Sequence, residues 1–334
     1  MKKILVVCAA AMLCCSLAYA QEADEPGTGA ELTIVPRVDF GLPLSLGNSS
    51  IYSFFDGNLT ENLSFSISNH WASFALTDKK FDSEAITDLY KYTWRSDWTN
   101  WCDWAYLDYN VGNFDIMLGK FTMAVGGMEF DFNDVECHTP LMSSLWSEFS
   151  PYQWGGCLGW TDSSENTTLS LEMVTSPFGE RPFGSGLFSY GLKWTGEYGP
   201  LNNIWSVSHM DTGDGYFTLV SLGQSLAICD DLSVTVDWSN AICDPTDWLV
   251  YGNSAYASLD WQPCDKWEFL VKGGFESAKD YDGGSSIGCA AHWFPLESGN
   301  LRVHGNFGYR DFGAVSDYYA TIGVLYQLNF HIGK

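Results

Sequence analysis

The stretch YYATIGVLYQLNF, residues 318–330, decides the fold. Side chains on an extended strand point alternately to opposite faces. One face of this stretch is apolar, and its members are Ala320, Ile322, Val324, Tyr326, Leu328 and Phe330. The other face carries Thr321, Gly323, Gln327 and Asn329, with Leu325 as the exception. A tilted strand of about 9–11 residues is long enough to cross the hydrocarbon of a bilayer. The stretch therefore predicts a two-faced strand of membrane-spanning length.

The same alternation recurs along the chain and predicts about sixteen strands. The segments lie near 31–40, 51–58, 61–70, 101–111, 113–123, 152–162, 167–177, 186–198, 203–212, 215–228, 232–242, 253–263, 267–278, 288–296, 301–311 and 318–330. Short connections alternate with mostly longer ones, of which the longest are 71–100, 124–151, 243–252 and 279–287. We therefore predict an all-β fold: a transmembrane antiparallel β-barrel with short periplasmic turns and longer outer loops.

The composition agrees with such a barrel and excludes several other classes. Of the 334 residues, 16% are aromatic, and a membrane barrel places such side chains in girdles at both interfaces. No stretch after residue 20 approaches the length of about 18 apolar residues that a helical membrane span needs. The formal net charge of −25 excludes nucleic acid as a partner, because there is no basic stripe to neutralise phosphates. A soluble β-propeller should repeat with a period of roughly forty residues, and the sequence shows none.

The N-terminal residues predict export. Lys2 and Lys3 precede an apolar run, and Ala18-Tyr19-Ala20 has the small-x-small pattern of a signal-peptidase site. We expect a signal peptide at 1–20, a short segment at 21–30 and the barrel at 31–334. The seven cysteines after residue 20 contain no C-x-x-C pair, which excludes a zinc ribbon, and their pairing stays open.

The strand alternation assigns side chains to the lumen, where charge can face water rather than lipid. The predicted lumen cations are Arg37, Lys193, Lys272, Arg302 and Arg310, with His304 beside them. The predicted lumen acids are Asp115, Glu172, Asp237, Asp260, Glu268 and Glu276. Most of these side chains could equally pair across strands along the wall.

The long connection 124–151 follows the fifth predicted strand. It contains Glu129, Asp131, Asp134, Glu136 and Glu148 and neither lysine nor arginine. Folded into the barrel, it would form a pore constriction in which Glu129, Asp131, Asp134 and Glu136 face the lumen cations across a transverse field. An external acidic loop is the alternative. Because the chain is poor in Arg and Lys, we expect weak selectivity or a preference for cations.

Several runs resemble porins of Bacteroidetes of the phosphate-selective porin O and P family. They include WAYLDY at 104–109, GNF at 112–114, GGMEFD at 126–131, YQWG at 152–155, VKGG at 271–274 and RVH at 302–304. This resemblance implies a sixteen-stranded channel, usually trimeric, that passes small hydrophilic solutes or ions. The pattern Thr321-x-Gly323-x-x-Tyr326-x-Leu328-x-Phe330 is similar to the signal that outer-membrane assembly machinery reads, although the chain continues to Lys334.

Patterns for catalysis or cofactors are weak. Gly284-x-Ser286-x-Gly288 matches the nucleophile elbow in letters, but we expect it in a turn with no helix after it. Cys137-His138 could begin a metal site, yet no partner follows at ligand spacing. We therefore expect no enzyme, no cofactor, no metal site and outer-membrane lipid as the surroundings. The alternative function is a receptor or adhesin that binds glycans through Trp94, Trp98, Trp101 and Trp104, which we otherwise assign to the outer aromatic girdle.

Overall fold

The computed structural model describes residues 29–42, 49–73, 102–131, 135–136, 138, 141–148, 151–179, 181–242, 248–249, 251–278, 281–311 and 316–332. These residues form one closed sheet of sixteen antiparallel strands. The strands are β1 (Ala30–Leu42), β2 (Ser50–Thr60), β3 (Leu63–Ser73), β4 (Cys102–Val111), β5 (Phe114–Thr122), β6 (Tyr152–Thr161), β7 (Thr167–Thr175), β8 (Phe188–Tyr198), β9 (Leu201–Asp211), β10 (Tyr216–Cys229), β11 (Leu232–Ile242), β12 (Asn253–Cys264), β13 (Trp267–Ala278), β14 (Tyr281–Trp293), β15 (Leu301–Asp311) and β16, which has two segments (Ser316–Tyr326 and Leu328–Ile332).

The barrel closes between its first and last strands. β1 pairs on one side with β2 and on the other with both segments of β16. Arg37 lies opposite Leu325 and Ile34 lies opposite Leu328, so the register runs unchanged through the break at Gln327. The break falls beside Pro36, which has no backbone N–H to give to the ladder.

Turns of two residues connect the strands at one end of the barrel, at 61–62, 112–113, 199–200, 230–231 and 265–266. Gly112 and Gly199 adopt φ of +61° and +64°, a conformation that glycine reaches without steric penalty. With an even number of strands, the start of β1 and the end of β16 both lie at this end, as the alternating connections predict. The helical elements in the described part of the chain include one 3₁₀ turn, Met128–Phe130, and the short helix α1, Ser144–Glu148, and no described helix is long and apolar enough to cross a membrane.

The two faces of the wall differ as the sequence predicts. Outward side chains form an apolar belt, in which Leu171, Ile287 and Ile322 are each about 60% exposed (61%, 60% and 61%). Aromatic rings concentrate on this belt near the two-residue turns, where Trp267 stacks on Phe269 and on Trp293. A belt of this kind can face hydrocarbon without leaving polar groups unsatisfied. The inward face is polar on most strands.

One predicted connection is wrong. Residues 281–287 belong to β14, not to a loop at 279–287, and Gly284-x-Ser286-x-Gly288 therefore lies inside a strand, not in a turn. Its Gly- and Ser-rich composition weakens the strand signal, but pairing with β13 and β15 supplies the ladder on both sides. A Cβ on Gly288 would lie 2.1 Å from a methyl group of Leu141, so this glycine makes room for the chain inside the barrel.

The assignment of faces is tested by placing one lysine on either side of β11. Val236 points outward and is 49% exposed, whereas its neighbour Thr235 points inward and bonds Ser225. Val236→Lys should lower the free energy of unfolding by about 2–4 kcal/mol, because a charge meets hydrocarbon. Thr235→Lys is the matched control and should lose less than about 1 kcal/mol. Urea unfolding in lipid vesicles measures both, and equal losses would contradict the assignment.

Candidate functional site

The connection after β5 enters the barrel and binds its inner wall. The Glu172 carboxylate of β7 accepts the N–H of Ala124, and the Ser208 hydroxyl of β9 donates to the Ala124 carbonyl. The Ser206 hydroxyl donates to the carbonyl of Gly126 at 2.7 Å. We call the described residues of 123–148 the inner loop. Its first residues are therefore held by polar side chains that alternation points inward.

The inner loop then passes against β10 and β11 at backbone distance. A Cβ on Gly127 would lie 2.7 Å from the Cα of Gly223 and 2.3 Å from an Asp237 oxygen. The N–H of Met128 donates to that Asp237 carboxylate at 2.7 Å. A side chain at position 127 or position 223 would overlap the opposite backbone, so both positions require glycine.

Glu129, the middle residue of the 3₁₀ turn, is the centre of a buried polar cluster. It is 6% exposed and lies 2.5 Å from Lys272 Nζ of β13. It also accepts the N–H of Ser143 at 2.7 Å and the Ser143 hydroxyl at 2.5 Å. The next residue, Ser144, donates its hydroxyl to Glu276 at 2.7 Å. Two stretches of the inner loop are thus tied to each other and to one strand.

Three arginines bind the far part of the inner loop. Arg37 of β1 donates to the carbonyl of Val135 at 2.6 Å and is itself held by Asp39 at 2.9 Å. Arg302 of β15 is paired with Glu136. Arg310 donates to the carbonyl of Met142. Because two of these arginines bind main-chain oxygens, they fix the path of the loop and not just its charge.

A chain of hydrogen bonds joins His138 of the inner loop to the wall. Its Nε2 lies 2.5 Å from Nε2 of His292, and Nδ1 of His292 lies 2.8 Å from Glu268. The amide of Asn306 reaches His138 Nδ1 at 3.0 Å. An amide N–H can only donate, so we assign the His138 proton to Nε2, from where it reaches His292. The His138 ring is then neutral.

An apolar cluster stabilises the opposite side of the inner loop. Loop residues Met123, Val125 and Leu145 pack on wall residues that face inward. The wall residues are Phe121, Val174, Phe178, Met210, Phe217, Leu219 and Ala241. Most members are almost completely buried, so this part of the barrel interior is a protein core and not a water-filled space.

The structure brings most of the predicted site residues together. Glu129, Asp131 and Glu136 lie on the inner loop, whereas Asp134 lies outside the described residues. Of the predicted lumen cations, Arg37, Lys272, Arg302 and Arg310 lie under the loop and are at most 11% exposed. Lys193 is 32% exposed and lies 4.0 Å from Asp131.

The prediction that acids and cations face each other across a gap therefore needs correction. Glu129 and Glu136 touch their cations directly, and the paired charges largely cancel. In a low-dielectric interior, opposite charges attract each other more strongly than in water. These pairs hold the loop.

Sequence reasoning missed two features of the site. His138 and His292 looked unrelated because their contact joins residues far apart in the chain. Trp104 was assigned to the outer girdle, but it faces the lumen, where its Nε1 donates to Ser66 at 2.7 Å. Alternation with outward Leu107 and Tyr109 was the signal that could have found it. Trp94, Trp98 and Trp101 lie outside the described residues.

An open cavity of about 300 Å³ remains between the inner loop and strands β4 to β8. Its lining combines aromatic rings, hydroxyl groups and three charged side chains. The lining residues are Trp104, Tyr106, Met117, Phe121, Thr122, Phe130, Asp131, Tyr152, Cys157, Ser170, Glu172 and Lys193. No group of three or more His, Cys, Asp or Glu in the described part of the chain is placed to hold a metal ion.

A closed sixteen-stranded barrel with an apolar belt is the fold of outer-membrane porins. Solved structures of this fold include an anion-selective porin from Comamonas acidovorans, at 10% identity and a TM-score of 0.60, with 90% of this chain and 100% of that chain covered. The outer membrane channel DcaP of Acinetobacter baumannii matches at 11% identity and a TM-score of 0.58, with coverage of 93% and 100%. OmpT of Vibrio cholerae, in a trimer form, matches at 11% identity and a TM-score of 0.56, with coverage of 91% and 100%. No protein-family model and no curated protein matches the sequence.

The Glu129–Lys272 pair should govern how firmly the inner loop is docked. Lys272→Met leaves the Glu129 carboxylate buried without its cation, at a penalty of about 3–5 kcal/mol. We expect amide hydrogen exchange at 126–131 and 141–146 to accelerate at least tenfold. Adding Glu129→Gln removes the uncompensated charge and should restore part of the protection. Lys266→Met, in an exposed turn, is the control. Unchanged protection in Lys272→Met would refute the anchoring role.

Acid should loosen the same loop through His138. Burial holds the pKa of His138 well below its usual range, and the nearby positive charges of Arg37 and Arg302 add to this effect. The groups around it are His292, Glu268, Arg302, His304, Arg37, Asp39 and Glu136. An undocked His138 titrates near its ordinary value of about 6.5, so docking loses free energy as the pH falls below that value. After correction for the intrinsic pH dependence of amide exchange, hydrogen exchange at 135–142 should accelerate between pH 7 and pH 5, and less so in His138→Gln. An acceleration of equal size in the variant would contradict the assignment to His138.

Proposed function

We propose that the protein is an outer-membrane porin, a passive diffusion channel for small hydrophilic solutes or ions. The observation that carries this proposal is the inner loop, which fills one side of the lumen and leaves a polar, aromatic cavity on the other. The apolar belt and the porin fold support an outer-membrane location. In this proposal the connection 124–151 forms the constriction, with Asp131 at its open edge.

The charges near the cavity favour cations over anions. Asp131 is 57% exposed, whereas Lys193, the one cation in the same lining, is 32% exposed, and Glu172 is buried. Arg37, Arg302 and Arg310 are each 4% exposed or less and are bound to carboxylates or carbonyls, so they offer little to a passing ion. A lumen whose accessible charge is acidic attracts cations and repels anions.

Membership of the phosphate-selective porin O and P family, an origin in Bacteroidetes and a homotrimeric assembly are parts of the same proposal. The runs quoted above support the family, and the matched trimeric OmpT supports the assembly. Phosphate selectivity is not part of it, because the accessible charge is acidic.

Recording in planar bilayers tests the proposal. The full chain should give open channels with ohmic conductance and weak or cationic selectivity, and silence at every voltage would exclude a porin. Asp131→Asn should lower the cation-to-anion permeability ratio, by roughly twofold, and Lys193→Met should raise it. Glu165→Gln, in the turn between β6 and β7, is the control. A strong preference for anions would show that the acidic-loop argument is wrong.

A further inference from the structure

We propose that the cavity beside the inner loop binds a neutral sugar of one or two rings during passage. This inference rests on the proposed function, since the solute would reach the cavity through the lumen. It adds a solute class that a nonspecific pore does not require.

Aromatic rings form a row along the wall of the cavity. The Trp104 ring lies 5.7 Å from Phe54 and 5.9 Å from Tyr152, measured between ring centroids. The hydrogen bond from Trp104 to Ser66 fixes the orientation of the indole. Tyr106 and Phe130 also line the cavity. Rigid aromatic rings offer large apolar faces at low conformational entropy, and the C–H faces of a sugar ring pack on such surfaces.

Polar groups converge on the same space. Lys193 and Asp131 lie 4.0 Å apart and are both partly exposed, and Ser170 and Thr122 add hydroxyl groups. Together they provide donors and acceptors for several hydroxyl groups of one solute. Lys193 and Asp131 carry opposite charges and attract each other. A neutral solute leaves this attraction intact, whereas an ion would compete with one of the two side chains for the other.

The dimensions also favour a small solute. A volume of about 300 Å³ is at the lower end of ligand sites, which span roughly 300–1,000 Å³. An apolar solute would fit the rings but would strip water from Asp131, Glu172 and Lys193 without replacing its hydrogen bonds. A small polyol with apolar ring faces satisfies both kinds of lining.

Single-channel recording of the full chain with added solutes tests this class. D-glucose and maltose should reduce the open-channel current with saturation, whereas sorbitol, an open-chain polyol, should act only through viscosity. Trp104→Leu should raise the half-blocking maltose concentration about five- to tenfold, which corresponds to the loss of one stacking contact. Trp205→Leu, on the outer face, is the matched control and should leave it unchanged.

The possible results separate the inference from the proposed function. Channels that conduct but show no difference between maltose and sorbitol overturn the sugar site alone. Stronger block by benzoate or benzylamine than by maltose overturns the neutral class. Silent bilayers overturn the porin, and titration calorimetry of the detergent-solubilised protein then decides the site. Maltose binding that Trp104→Leu weakens supports the site there, and no heat of binding overturns it.

Discussion

The hydrogen bonds between β1 and β16 are the constraint on which the rest of the structure depends. Hydrocarbon offers no partner for a backbone N–H or C=O, so a sheet in a membrane must close upon itself. Once the wall is closed, each strand must place apolar side chains outside and leave polar ones inside. That rule concentrates Arg37, Asp237, Lys272 and Arg302 in the interior, where they need partners.

The inner loop supplies many of those partners, and it does so differently on its two sides. Towards β5 to β11 it is packed on apolar side chains, and the Glu172 and Asp237 carboxylates bind its backbone. Towards β13, β14, β15 and β1 it is held by ion pairs, hydrogen bonds to carbonyls and the His138–His292 contact. Apolar packing is insensitive to pH, whereas imidazoles and carboxylates titrate. The side held by ion pairs and imidazoles can therefore respond to pH, while the apolar core helps to keep the other side in place.

The wall could be predicted from the sequence almost completely, and the interior only in part. Alternation is a local property, so it located the strands to within a few residues. This includes β1 and β16, which pair with each other beside Pro36. It failed at 281–287, where Gly283, Gly284, Ser285 and Ser286 lie inside a strand and not in a turn. Alternation also assigned the lumen side of Arg37, Lys272 and Arg302. Alternation could not predict the contacts of these cations with Val135, Glu129 and Glu136. Those contacts depend on the path of the inner loop through the barrel, and the loop sequence has no periodicity that indicates its path. His138 and His292 meet for the same reason.

Two glycines under the inner loop couple the barrel wall to the loop sterically, so substitutions in the two parts depend on each other. A methyl group added at Gly223 meets the backbone of Met128, and one added at Gly288 meets Leu141. A larger side chain in the wall at these positions would therefore overlap the loop. It could be accommodated only with a compensating substitution in the loop, and the same holds in the other direction. Strands β2 to β4 are free of these two contacts. Variation among descendants of this channel should accordingly accumulate on that side first.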